Sequence, residues 1–107
     1  MGKKQDLDIR KFSGVIGNMI KKTRKEMMGY MPLIREEVEE IITSRDRNGA
    51  RIEQTLDTLL SCMQMNIGER EFIMLNEYYA GVDKEGYAFY NKEYKNFLID
   101  NYINKPK

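Results

Sequence analysis

The chain has 107 residues, of which 41% are hydrophobic and 33% are charged, and its formal net charge is +1. This length predicts a single domain over residues 1–107, and this composition is typical of a folded protein rather than a disordered one. The chain has no histidine and a single cysteine, Cys62, which excludes histidine-ligated metal sites, nucleophile–histidine pairs and an internal disulfide.

The sequence shows neither the pattern of a membrane-spanning helix nor that of a secretory signal. The longest apolar run is far shorter than a membrane-spanning helix requires. The basic residues near the N-terminus are not followed by the apolar stretch of a secretory signal. We therefore expect a cytoplasmic protein that makes no contact with a membrane.

The first predicted helix covers residues 8–28, because Ile9, Phe12 and Ile16 begin a run of apolar residues at 3–4 spacing. Gly29 is expected to end this helix, and residues 1–6 are expected to be frayed. Residues 1–28 contain eight basic and three acidic side chains, whereas residues 29–60 contain four basic and seven acidic ones. Charges of opposite sign on successive helices can pair within a fold.

The longest helical pattern follows. Pro32 is suited to the first turn of a helix, where its missing N–H is no loss. Val38 and Ile52 are fourteen residues apart, so both would lie on the same face of a continuous helix. The pattern therefore fits either one long central helix from Pro32 to about Gln64 or two helices. We favour a break at Arg47–Gly49, because this segment is polar and contains an Asn-Gly dipeptide.

Three further boundaries complete the prediction. The next helix should end near Asn66–Gly68, with Gly68 as a left-handed cap. A fourth helix should start at Glu69, and Gly81–Gly86 is predicted to be a turn. A last helix covers residues 87–103, before a frayed tail. Together these elements predict an all-α fold, a compact bundle of four to five helices.

Aromatic residues are concentrated near the C-terminus. Eight of the eleven aromatic side chains lie after residue 77. Tyr90 and Tyr94 fall on one helical face, whereas Tyr87, Phe89 and Tyr102 point elsewhere. A helix with aromatic residues around most of its circumference either lies centrally in a bundle or contacts a second surface.

These observations favour a non-enzymatic protein-binding module without cofactor or metal. We expect a small intracellular regulator or inhibitor, of the kind that phage or mobile elements encode, which occupies the surface of a partner protein and is itself a monomer or a homodimer. Tyrosine is enriched at interaction hot spots because it offers a large contact area at a small cost in rotamer entropy. The candidate partner-binding residues are Tyr87, Tyr90, Tyr94, Tyr102, Glu36 and Glu40.

The alternative is a helical regulator that binds nucleic acid. Its phosphate contacts would come from the basic turn of the first helix together with the central junction. The candidate residues are Lys21, Lys22, Arg24, Lys25, Arg45 and Arg47. We favour the protein-binding function, because the net charge is close to zero and the aromatic residues are not interleaved with the basic ones.

Overall fold

A computed structural model describes residues 24–103 of the chain. It contains four α-helices, α1 (Arg24–Thr43), α2 (Gly49–Met63), α3 (Glu69–Tyr79) and α4 (Lys84–Leu98), and a π-helix (Ile99–Ile103) that continues α4. No strand occurs in this part of the chain, so the predicted all-α bundle is confirmed there. The helix predicted over residues 8–28 lies mostly outside the described residues, as do the two ends that were expected to fray.

The core forms where the apolar stripes of the helices meet. Helix α2 packs against α1 and α3, α1 also contacts α3, and α4 packs against α3. The buried hydrophobic side chains on α2 follow the 3–4 spacing of the sequence and are Ile52, Leu56, Leu59, Cys62 and Met63. The hydroxyls of Thr55 and Thr58 share this buried face and donate to the carbonyls of Arg51 and Gln54, one turn earlier.

The predicted helix boundary at Gly29 is wrong. Helix α1 runs through Gly29 and Pro32 without a break, although an interior glycine costs about 1 kcal/mol and an interior proline about 3 kcal/mol. Met27 and Met31 are buried and extend the apolar stripe of α1 across this point. Their burial, at about 1.5–3 kcal/mol for each side chain, offsets the poor helix propensity. Pro32 lies on the exposed side, where its ring does not disturb the core.

The predicted break between α1 and α2 is confirmed, but different residues form it. The chain turns at Arg45, which has a left-handed backbone (φ 55°). The amide of Asp46 donates to the carbonyl of Ile41, and the amide of Arg45 donates to Ile42, which is the hydrogen-bond pattern of a Schellman motif. Asn48 then caps α2 by accepting the amide of Arg51 through its side chain. The Asn-Gly dipeptide therefore starts a helix instead of forming the turn.

Arg51 holds this turn against α1. Its guanidinium donates to both carboxylate oxygens of Glu37 on α1, at 2.7 and 2.9 Å, and to Oδ2 of Asp46 in the turn, at 2.7 Å. All three side chains are less than one-fifth exposed. Burial alone would raise the pKa of Asp46, but the amide of Asn48 and the Arg51 guanidinium together lower it below its usual value. Arg51 thus cross-links α1, the turn and α2.

A second Schellman motif ends α2. Asn66 has the left-handed backbone (φ 64°), and the amide of Ile67 donates to the carbonyl of Cys62. Gly68 is also left-handed (φ 86°), as predicted, but it stands immediately before α3 and not at the end of α2. Three buried or partly buried neighbours surround Gly68, and a Cβ there would lie 3.0 Å from Cδ2 of Leu59.

The turn predicted at Gly81–Gly86 is shorter than expected. Helix α4 already begins at Lys84, because the carboxylate of Asp83 accepts the amides of Glu85 and Gly86. Gly86 consequently lies in the first helical turn. The ring of Tyr79 packs directly on it, and a Cβ at Gly86 would lie 2.5 Å from Cε2 of that ring.

We expect Gly68→Ala to lower the free energy of unfolding by about 1–2 kcal/mol. A left-handed backbone is strained for alanine, and its Cβ would crowd Leu59. Gly29→Ala is the matched control: its Cβ would meet nothing within 4 Å, so better helix propensity should raise stability by about 1 kcal/mol. Urea denaturation of both variants tests this, and equal effects at the two glycines would contradict it.

Arg51→Ala should destabilise the fold by about 2–4 kcal/mol, because it leaves the carboxylates of Glu37 and Asp46 unpaired in a largely buried site. Arg35→Ala serves as the comparison. Arg35 pairs with Glu71 at 3.0 Å but its side chain is 52% exposed, so its loss should cost at most about 1 kcal/mol. Thermal and urea unfolding give both values, and a small effect at Arg51 would show that the cross-link contributes little.

Candidate partner-binding surface

Tyr90 points into the bundle. It is only 4% exposed, and its hydroxyl donates to Oδ1 of Asp57 on α2, at 2.8 Å. Its ring meets the ring of Phe72 edge-on, with centroids 6.4 Å apart. The expectation that Tyr90 contacts a partner is therefore corrected: it is a core residue that joins α4 to α2 and leaves almost no surface for another protein.

Two tyrosines at the end of α3 are anchored in a similar way. The hydroxyl of Tyr79 donates to Oε2 of Glu53 at 2.5 Å, and the hydroxyl of Tyr78 donates to the carbonyl oxygen of Asp46 at 2.6 Å. Tyr79 is fully buried and Tyr78 is partly buried. The tyrosine-rich part of the sequence is thus used largely to attach α3 and α4 to α2.

Burial also changes the acidity of these phenols. The pKa of Tyr79 is raised above its usual value, first by burial and then by the hydrogen bond to Glu53. The pKa of Tyr90 is raised by burial and by the hydrogen bond to Asp57. Both phenols therefore remain protonated donors in the folded protein, well into the alkaline range.

The outer face of α4 carries the most exposed aromatic ring among the described residues. Phe89 is 56% exposed, and its ring stands perpendicular to that of Tyr90 with centroids 4.9 Å apart. Glu85 and Lys92 lie one turn before and one turn after it and are exposed. Ile99, 41% exposed, follows where α4 passes into the π-helix. We call these residues, Glu85, Phe89, Lys92 and Ile99, the Phe89 face.

The other predicted tyrosines do not share this face. Tyr87 and Tyr94 are partly buried, and at 100° per residue Tyr87 is about 160° from Phe89 around α4. The hydroxyl of Tyr94 donates to Oε2 of Glu69 at 2.6 Å, and its ring stacks on Phe72 with centroids 5.8 Å apart. Tyr102 lies within the π-helix, but its side chain is outside the described part. Tyr87 and Tyr94 therefore lie on the side of α4 that is turned away from Phe89.

Glu36 and Glu40 lie on the outer side of α1. Both are exposed, and neither forms an ion pair with another described residue. Leu33, 37% exposed, is one turn before Glu36 on the same side. Glu36, Glu40 and Leu33 are separated from the Phe89 face, since α4 packs on α3 rather than on α1.

The basic residues proposed to bind nucleic acid do not form one stripe within the described chain. Arg24 and Lys25 lie at the start of α1, whereas Arg45 and Arg47 follow its end, ~30 Å away for a helix of this length. Arg24 donates to the carbonyl of Met65 at 2.9 Å, and Arg47 donates to the carbonyl of Gly81 at 3.4 Å. The side chains of Arg24 and Arg47 therefore bind backbone carbonyls of loops within the fold. Lys21 and Lys22 lie outside the described residues.

A groove of about 160 Å³ lies between α1 and α3. Val38 of α1 lies beneath it but is fully buried, so the exposed hydrophobic side chain of the groove is Met74 on α3, which is 39% exposed. Four charged side chains surround it: Arg35, Glu39, Arg70 and Glu71. No pattern in the sequence predicts this groove, because it depends on how closely two helices approach one another.

Cys62 is buried among core residues, as predicted from its apolar neighbours. Burial raises the pKa of its thiol to about 11, and the charge of Glu71 adds to this. Such a thiol is a poor nucleophile at neutral pH. Within residues 24–103, no three acidic or cysteine side chains converge as metal ligands, and none of the described helices has the length and hydrophobicity needed to span a bilayer.

Comparisons of the chain with protein-family models, with curated proteins and with solved structures found no match. Function is therefore inferred from the described side chains and their surroundings.

Two buried tyrosines predict a specific loss of stability at high pH. Above pH 10 the phenols of Tyr79 and Tyr90 lose their protons in the unfolded chain but keep them in the folded protein. The unfolded state therefore binds fewer protons than the folded state, so the free energy of unfolding falls as pH rises. Each tyrosine contributes a slope of at most about 1.4 kcal/mol per pH unit.

Tyr90→Phe should cost about 1 kcal/mol at neutral pH, because one hydrogen bond is lost, and it should make the decline above pH 10 shallower than in the wild type. Urea unfolding at several pH values between 7 and 11 measures both effects. Parallel curves for the two proteins would show that Tyr90 ionises as easily in the fold as in the unfolded chain.

Proposed function

We propose that this chain is a non-enzymatic protein-binding module that regulates or inhibits a partner protein by covering part of its surface. The observation that carries the proposal is the exposure of Phe89. Phe89 is 56% exposed on a helix whose other described aromatic side chains are buried or partly buried. Exposed aromatic residues with charged neighbours are typical of protein interfaces, where they serve as anchors.

The Phe89 ring is held in place by the residues beneath it. Tyr90 supports it edge-to-face at 4.9 Å and is itself fixed by its hydrogen bond to Asp57. The carboxylate of Asp83 caps the first turn of α4. A rigid anchor loses little conformational entropy when it binds, which favours affinity. These contacts support Phe89 as a preorganised contact residue.

The surrounding side chains are suited to the edge of an interface. Glu85 and Lys92 place opposite charges on either side of the ring along α4, and charges at an interface rim contribute mainly to specificity and association rate. Ile99 adds a second exposed apolar group further along the helix. Tyr87 and Tyr94 lie on the other side of α4, and Glu36 and Glu40 on α1, so a larger partner would be needed to reach them as well.

Phe89→Ser should abolish capture of the partner while leaving the fold intact. Tagged wild-type chain and variant are used as bait in lysate of the source cell, with and without nuclease, and bound proteins are quantified by mass spectrometry. The wild type should retain a stoichiometric foreign protein after nuclease treatment, and Phe89→Ser should lose it by at least about tenfold, a difference of roughly 1.4 kcal/mol in binding free energy.

Leu33→Ser is the matched control. It removes a partly exposed apolar side chain from α1, away from the Phe89 face, and should leave capture unchanged. Circular dichroism and thermal melting confirm that both variants are folded. Equal loss in the two variants would contradict the assignment to the Phe89 face, and recovery that disappears with nuclease would favour the nucleic-acid function instead.

A further inference from the structure

The middle of α4 presents a group of exposed side chains on the side turned away from the bundle. Tyr90 and Phe97 are the buried side chains of this helix and lie on its inner side. At 100° per residue, the exposed group occupies about 100° of the helix circumference on the opposite side. We call this group the α4 patch, and its members are Glu85, Ala88, Phe89 and Lys92.

The two charges of the α4 patch are placed symmetrically. Glu85 and Lys92 each lie ~5 Å along the helix axis from the midpoint between Ala88 and Phe89, one before it and one after it. Neither of the two forms an ion pair with another described residue. A second copy of α4, placed antiparallel across this midpoint, would therefore bring Glu85 of each copy opposite Lys92 of the other. The patch is complementary in charge to itself.

The same placement brings the apolar members of the patch together. A two-fold axis that is perpendicular to both helices leaves each side chain on its own side of the interface, so Phe89 meets Phe89 and Ala88 meets Ala88. Phe89 is 56% exposed, and pairing of two aromatic rings adds to the gain from burying them. Ala88 is small, which lets the two helix axes approach within ~8–9 Å.

We propose that this chain forms a symmetric homodimer in which the α4 helices of two copies pack antiparallel. Phe89 contacts Phe89 at the two-fold axis, and an ion pair between Glu85 of one copy and Lys92 of the other lies on each side of it. Because both copies contribute the same surface, the contact closes as a dimer and does not continue to larger species.

The inference rests on the proposed function in one respect, since the homodimer covers the face that we assign to a foreign partner. The homodimer must therefore dissociate before that partner can bind. A pair of helices of this length buries less than the ~1,600 Å² of a standard protein interface. We accordingly expect a dimer that exchanges readily, with a dissociation constant in the micromolar range.

Sedimentation velocity of the purified chain, from micromolar to millimolar concentration, tests the homodimer without any other protein. The mean mass of the wild type should rise from that of a monomer to that of a dimer and no further. Phe89→Ser should remain a monomer, whereas Leu33→Ser on α1 should behave like the wild type. A wild type that stays monomeric at every concentration, or that grows beyond a dimer, would overturn the proposal.

Charge reversal tests the antiparallel pairing. Glu85→Lys alone and Lys92→Glu alone each place like charges opposite one another at both ends of the contact, so each should weaken dimerisation at least tenfold. An equimolar mixture of these two variants should form a heterodimer, because every lysine then faces a glutamate. The double variant Glu85→Lys/Lys92→Glu should dimerise like the wild type. Failure of the mixture or of the double variant to associate would show that the pairing is wrong.

A disulfide across the two-fold axis gives an independent test of the register. In the proposed dimer the two Ala88 Cα atoms are ~6 Å apart, within the range that a disulfide spans. Ala88→Cys should therefore form a covalent dimer on air oxidation, seen on a non-reducing gel. Asn96→Cys, at an exposed position of α4 that lies more than ~20 Å from its counterpart, is the control. Linkage of both variants would indicate parallel helices and contradict the proposal.

The double variant also separates the homodimer from the capture of a foreign partner. Glu85→Lys/Lys92→Glu restores the contact between two copies but presents reversed charges to any other protein, so it should dimerise and lose capture from lysate. A monomeric wild type that captures a foreign protein would overturn the homodimer alone. A wild type that dimerises as described but captures no foreign protein would overturn the proposed function alone.

Discussion

The guanidinium of Arg51 is the constraint on which the arrangement of the helices depends. It bonds to Glu37 on α1 and to Asp46 in the turn, so the angle between α1 and α2 is defined by a cross-link with both carboxylates paired. The backbone carbonyl of Asp46 in turn accepts the hydroxyl of Tyr78, which attaches α3 to the same turn. Because Arg51, Glu37 and Asp46 are mostly shielded from water, the hydrogen bonds between them are screened less than those of a surface ion pair.

The attachment of α3 and α4 to α2 uses polar contacts in the same way. Tyr79 and Tyr90 donate to Glu53 and Asp57, two carboxylates one turn apart on the outward side of α2. Tyrosine suits this position because its ring joins the core while its hydroxyl reaches the edge of α2. Once these rings are committed to the fold, Phe89 is left as the exposed aromatic residue of α4, and its lack of a hydroxyl makes it a purely apolar contact.

Several features of this structure could be read from the sequence and others could not. The apolar stripe of α2 followed from residue spacing, and the break before α2 followed from the polar residues around Arg47–Gly49. The end of a helix at Gly29 did not occur, because burial of Met27 and Met31 outweighs the local preference of glycine and proline. Similarly, the chain turns at Arg45 and not at the Asn-Gly dipeptide, because the hydrogen bonds and ion pairs of the turn hold Arg45 in a left-handed backbone.

The candidate partner-binding surface could likewise be predicted from the sequence only in part. From sequence alone, periodicity and composition determined an all-α chain without histidine chemistry, with aromatic residues concentrated at its C-terminal end. Tertiary structure decided which of those aromatic residues remain on the surface, because hydrogen bonds to Asp57 and Glu53 draw Tyr90 and Tyr79 inward and leave Phe89 outside. It also created the groove between α1 and α3, since the space between two helices depends on their packing distance and on no single stretch of sequence.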